Sequence, residues 1–177
     1  LIIWTSIIGG LILLAFARGG YLKAARSIAL AVAAFCLMMC IWLIAHFDTS
    51  LWQMQFTEKT TWIEPLGLYY SLGVDGFSAP LIVLTCLMTT LVVFASVKSV
   101  KERVPEYLSA FLIMQGLICG ALSALDAILF YVFWEGMLVP MFLIIGMWGG
   151  INRVYAAIKF FLYTFLGSVL FLVALIF

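Results

Sequence analysis

Two ionisable residues stand inside long apolar runs, and chemistry would be done there. Glu135 lies in Phe130-Tyr131-Val132-Phe133-Trp134-Glu135-Gly136-Met137-Leu138-Val139-Pro140, and Lys159 in Ala156-Ala157-Ile158-Lys159-Phe160-Phe161. A charge at the centre of a membrane helix costs about 2.5–3.5 kcal/mol on insertion scales, so such residues mark ion or proton pathways by default. A carboxyl in that position either stays protonated or ionises beside a cation or in a water-filled pocket, and both options make it a proton-handling group. Pro140 has no N–H for the carbonyl of Gly136, which predicts a local helix break at Gly136 and Pro140 and leaves that carbonyl open, one residue from Glu135, to water or a side chain. The plainer alternative is a Glu that bonds a neighbouring helix for packing alone. For Lys159 the leading reading is a long stem snorkelling back to the interface; the secondary one is the cytoplasmic end of a proton path.

The elements that position these residues follow from composition and charge. The chain has 177 residues, 67% hydrophobic and 10% charged, against roughly 45–50% and ~25% in soluble domains, which excludes a water-soluble fold. A net charge of +1 argues against a nucleic-acid partner. A crossing helix needs about 20 mostly apolar residues, and the charges divide the chain into six spans at about 1–17, 27–47, 77–97, 107–125, 127–148 and 154–177. An all-α integral membrane protein with one domain over 1–177 is therefore expected. Arg18, Lys23 and Arg26, then Lys98, Lys101 and Arg103, then Arg153 fall in alternate connectors, which places those connectors in the cytoplasm and the N-terminus outside. At ~1.5 Å per residue Glu135 is ~12 Å into its span. Counted from the turn near Gly150, Glu135 is ~22 Å away and Lys159 ~13 Å, so water rather than a direct salt bridge would have to join them.

The connector 48–76 is rich in strand formers. Trp52-Gln53-Met54-Gln55-Phe56-Thr57 alternates in polarity, and Gly67–Val74 follows the break at Pro65, so this stretch, at about 50–74, forms either a small outside-facing β-hairpin or an irregular loop. Asp75 precedes the third span and Asp126 divides the fourth from the fifth. Both read first as helix caps, with the outer exit of a proton route as the other role for Asp126. His46 is an interface residue, and Cys36, Cys40, Cys86 and Cys119, all in apolar runs, read as packing residues rather than a metal site. No GxGxxG, P-loop, CxxC or HExxH occurs. With Leu1 first and an apolar run still open at Phe177, the chain is expected to be a piece of a longer protein.

Four segments carry a resemblance: Val74-Asp75-Gly76-Phe77-Ser78, Phe133-Trp134-Glu135-Gly136-Met137-Leu138-Val139-Pro140-Met141, Met147-Trp148-Gly149-Gly150, and Ala156-Ala157-Ile158-Lys159-Phe160-Phe161-Leu162-Tyr163-Thr164. From about Gly73 onward the chain closely resembles the chain M (mitochondrial chain 4) family of the proton-pumping NADH:quinone oxidoreductase, respiratory complex I; earlier residues match more in layout. The resemblance implies the first six helices of an antiporter-like inverted-repeat bundle, and it implies that Glu135 pairs with a lysine on the seventh helix, after Phe177. It places Lys159 at a less critical lysine of the sixth helix. Quinone reduction elsewhere would then be coupled to proton transfer through Glu135. The implied partners are the other membrane-arm subunits, neighbouring antiporter-like chains and the bilayer; NADH, flavin, iron–sulfur clusters and quinone would belong to other subunits, with no cofactor, metal or redox site here. The implied location is the bacterial inner membrane, or alternatively the mitochondrial one. Two rivals stay open: a subunit of a multisubunit sodium/proton antiporter or membrane-bound hydrogenase, and a purely structural membrane-arm subunit.

Overall fold

The computed structural model describes residues 1–16, 22–50, 53–64 and 68–176. Six helices and one hairpin follow in order: α1 (Ile2–Phe16), α2 (Leu22–Ala45), β1 (Gln55–Ile63), β2 (Leu68–Val74), α3 (Ser78–Ser99), α4 (Val104–Ser123), α5 (Ala127–Trp148) and α6 (Arg153–Ile176). Five of the helices, α2 to α6, are long and apolar enough to cross a membrane. The described part of α1 has 15 residues, ~22 Å at the helical rise and so shorter than a ~30 Å hydrocarbon core.

Helix α4 is the hub, packed by α1, α2, α3, α5 and the inner end of β2. The reason is close approach. A Cβ built on Gly116 would stand 2.6 Å from Ile7 Cγ1 and 2.7 Å from the Ile3 carbonyl, and one on Gly120 2.6 Å from the Phe133 ring. Small residues of this kind let membrane helices come together, because lipid is as apolar as any side chain and offers no hydrophobic drive.

Helix ends depart from the expected spans by a few residues, each for a local reason. The described part of helix α2 already includes Leu22, ahead of the expected 27, and takes in Lys23 and Arg26, whose long cationic side chains can reach the interface. Helix α4 starts at Val104, with Pro105 in the first turn, where its missing N–H costs nothing. The residue before it, Arg103, has φ 52°, a left-handed turn that ends the α3–α4 connector.

The connector 48–76 does form a hairpin, with its second strand where expected and its first displaced along the chain. Its first strand is Gln55–Ile63 rather than 52–57, paired antiparallel with Leu68–Val74 through Lys59↔Ser71 and Thr60↔Tyr70; the expected Trp52, Pro65 and Gly67 lie outside the described residues. A bulge between Gln55 and Glu58, with Phe56 at φ 52°, bends the outer strand. A lone two-stranded ribbon is marginal in water, and this one is fastened to the bundle. Leu125 N–H donates to the Ser71 carbonyl at 2.9 Å, Trp4 Nε1 donates to the Tyr70 hydroxyl at 3.1 Å, and Leu72 and Val74 are buried. The up-and-down order puts Asp48, Glu58, Asp75 and Asp126 at the hairpin end, and Lys23, Arg26, Lys98, Arg103 and Arg153 at the opposite end.

Candidate functional site

Asp126 starts α5 in extended conformation and its carboxylate accepts from the N–H groups of Ile128 at 2.9 Å and Leu129 at 3.1 Å. Two of the four open donors of the first turn are thereby satisfied. Helical structure then runs unbroken to Trp148 through the buried Pro140. At the far end Gly149 makes the reversal into α6, since a Cβ there would stand 2.3 Å from the Ile145 carbonyl. The Arg153 guanidinium closes the turn by donating to the Met147 carbonyl at 2.8 Å.

This hairpin of helices places Glu135 against α6. The carboxyl is half-buried, and it is hydrogen-bonded to the hydroxyl of Ser168, which is buried. Ser168 Oγ also lies 2.9 Å from the carbonyl of Phe165. One hydroxyl carries one hydrogen, so the pair accommodates both protonation states. When Glu135 is ionised, Ser168 donates to it; when Glu135 is protonated, the acid donates to Ser168 Oγ, and the serine turns its hydrogen to the Phe165 carbonyl. Aromatic contacts cover the pair on either side along the helices: Phe130 and Tyr131 against Phe171 at 6.2 and 6.5 Å, and Phe142 against Phe161 at 5.6 Å. Gly136, the next residue, faces α4, where a Cβ would stand 3.2 Å from Leu117.

Lys159 is not part of this arrangement. It is exposed on the outer face of α6, its Nζ 5.8 Å from the Tyr155 ring centre and 5.9 Å from that of Tyr163, a cation held between two aromatic faces one turn either side. Among the described residues the one ion pair is Arg103–Glu106, at the basic end. Asp75 sits at the start of α3, accepting from the N–H of Ser78 at 2.6 Å and of Phe77 at 3.2 Å. These bonds, foremost that from Ser78, hold its carboxyl below the usual carboxylate range. His46 stacks on Trp42 at 4.3 Å and bonds the Trp42 carbonyl at 2.9 Å through Nδ1.

Sequence reading missed Ser168, although the signal was present. Counting the same ~1.5 Å rise outward on both sides of the α5–α6 turn brings the stretch around 165–168 level with Glu135, and Ser168 is the polar residue in it. It also missed that the cysteines converge. Cys40 and Cys86 approach to 3.2 Å, Cys86 and Cys119 to 4.0 Å, and Gln115 Nε2 donates to Cys86 Sγ at 3.2 Å, all within the bundle centre. All four thiols are free and buried, and among the described residues no group of three or more His, Cys, Asp or Glu could hold a metal ion.

Residues 7–124 match the family described as NADH-ubiquinone oxidoreductase chain 4, amino terminus. The chain belongs to that family. Residues 124–177, which contain Glu135 and Ser168, match the family described as NADH:quinone oxidoreductase/Mrp antiporter, TM. Among curated relatives, NADH-quinone oxidoreductase subunit M of Rickettsia typhi is 46% identical over 140 residues, 79% of this chain and 28% of that protein. The subunit M of Rhodobacter capsulatus is 49% identical over 152 residues, 86% of this chain and 29% of that protein. The chain thus spans little more than a quarter of the length of the curated relatives it matches. Its fold is that of a chain in the respiratory complex I of Thermus thermophilus with bound NADH, at TM-score 0.83 and 24% identity, over 99% of this chain and 35% of that one. Membership of the chain 4 family and the bundle of apolar helices make this a multi-pass membrane protein.

Proposed function

We propose that this chain 4 family member is part of a proton-translocating membrane-arm subunit of an NADH:quinone oxidoreductase, a translocase coupled to redox chemistry carried out in other subunits. NADH, flavin, iron–sulfur clusters and quinone are bound elsewhere in the complex, and the six helices act as one membrane domain beside neighbouring antiporter-like chains. The single observation that carries this reading is the Glu135–Ser168 pair: a carboxyl deep between two membrane helices, in a setting that serves either protonation state. A cation approaching from a further helix would favour the carboxylate, and its withdrawal the acid, so alternation of the two moves a proton. Family resemblance supplies that cation as a lysine of the seventh helix. Lys159 remains a secondary proton-path group at the basic end, and Asp126, with Asp75, a cap that can also serve as an exit. The basic end faces the cytoplasm in this reading, with the N-terminus outside, in the bacterial inner membrane.

Glu135→Gln in the full-length protein within its complex tests the reading. Assembly on native gels is expected to stay normal while proton uptake into inverted vesicles, driven by NADH, is lost. Normal pumping with normal assembly would leave the structural-subunit alternative. The family description that also covers Mrp antiporters favours one second reading, a cation/proton antiporter. Sodium-driven proton movement without an electron donor would establish it.

A further inference from the structure

At the basic end, α2 and α3 form a groove of about 330 Å³ with Lys23 and Arg26 at its mouth and Leu30, Phe94 and Val97 below them. We propose that this groove binds an anionic phospholipid, its phosphodiester between Lys23 and Arg26 and its acyl chain along Leu30, Phe94 and Val97. The guanidinium of Arg26 is half-buried and fixed in position because Nη2 donates to the Val100 carbonyl at 3.1 Å. A phosphate oxygen is the acceptor that best matches the donors remaining on an arginine fork. Lys23 is exposed one turn earlier on the same face, and neither cation has a carboxylate partner among the described residues.

Charge at one end and apolar wall at the other specify an amphiphile rather than a free anion. The wall leads from the interface toward the middle of α2 and α3, the direction an acyl chain takes from its headgroup, and basic pockets between membrane helices recognise acidic headgroups in this way. A zwitterionic lipid would bring its own cation to Lys23 and Arg26 and gain less.

The test uses the full-length protein in its complex, reconstituted in phosphatidylcholine nanodiscs with a trace of phosphatidylglycerol bearing a diazirine in its acyl chain, or of the matching phosphatidylcholine probe. After illumination, peptides containing Leu30 and Phe94 should be labelled more by the anionic probe, whereas the exposed Leu166 of α6 should take both equally. Lys23→Gln, which breaks no internal bond, should cut the anionic excess about fivefold, one interfacial charge's worth, and Arg26→Lys should keep more of it than Arg26→Gln. Equal labelling by both probes, an excess indifferent to Lys23→Gln, cross-links to a neighbouring subunit instead of lipid, or displacement by inorganic phosphate would each overturn the proposal.

Discussion

Helices α4 and α6 are both apolar enough to cross a membrane, yet about half of α4 is buried in the fold and, among the described side chains of α6, only Ala157 and Ser168. The less apolar of the two is the buried one. Helix α4 carries Ser109, Gln115, Gly116, Cys119 and Gly120 toward its neighbours, and each of these is buried; α6 presents Leu162, Leu166 and Leu170 outward. In water the order would be reversed. In lipid, bulky apolar side chains are already satisfied, so small and hydrogen-bonding residues mark where helices meet. The same rule locates the candidate site, since Ser168 and Ala157 are the buried positions of α6 and both face α5.

The sharpest way to break this comparison is to add the same kind of bulk to each helix. Gly116→Val must displace the Ile3 carbonyl, which is backbone and cannot swing away. It should cost about 3 kcal/mol, read as a large fall in the thermal midpoint in detergent. Gly167→Leu, with nothing within 4 Å of the added Cβ, should change the stability of this chain by less than about 0.5 kcal/mol. Should it then impair assembly in the complex, α6 is covered there by protein rather than lipid.

Ser168→Ala addresses the one polar contact that α6 makes with Glu135. A buried polar group left unpaired costs about 1–3 kcal/mol, and here the loss falls on whichever protonation state relied on the serine. Proton translocation should drop severalfold, less than in Glu135→Gln, with assembly intact. Unchanged translocation in Ser168→Ala would mean that the serine does not serve the carboxyl.

Much of this was legible in the sequence, and the reasons differ by residue. The spans were visible because apolar length and charge punctuation are properties of the chain alone, and Glu135 was visible because a carboxylate in an apolar run violates the pattern. Asp126 was readable as a cap because α4 and α5 leave room for nothing but a turn. Ser168 was passed over, since a serine is common in membrane helices and stands out only when the rise is counted across the α5–α6 turn to the level of Glu135. The strand at Gln55–Ile63 was misplaced because the alternation at 52–57 gives way to the all-polar run Thr57-Glu58-Lys59-Thr60-Thr61, which carries no period-2 signal, and its register is set by the bulge at Phe56. Convergence of Cys40, Cys86 and Cys119 depends on how three helices rotate against each other, which local sequence does not encode.

The smallest expected effect tests whether the hairpin end belongs with the packed half of the molecule. Asp75 accepts from Ser78 and Phe77 as a carboxylate, and its folded form therefore holds on to charge more firmly than the unfolded chain, whose aspartates titrate near ~3.9. A carboxyl depressed on folding adds stability above the unfolded value, and that stability is lost as pH falls through the lower folded value. Partial exposure and solvent screening limit it to a few tenths of a kcal/mol. Asp75→Asn keeps an acceptor but removes the charge, so it should lower the thermal midpoint slightly at pH 7 and flatten its decline below about pH 4. Hydrogen exchange should quicken in β2 and the first turn of α3, where Val74, Ser78 and Ala79 are buried, and stay unchanged in α6. Faster exchange in α6 would mean that α6 is coupled to the hairpin end and is held by the packed half rather than merely resting against it.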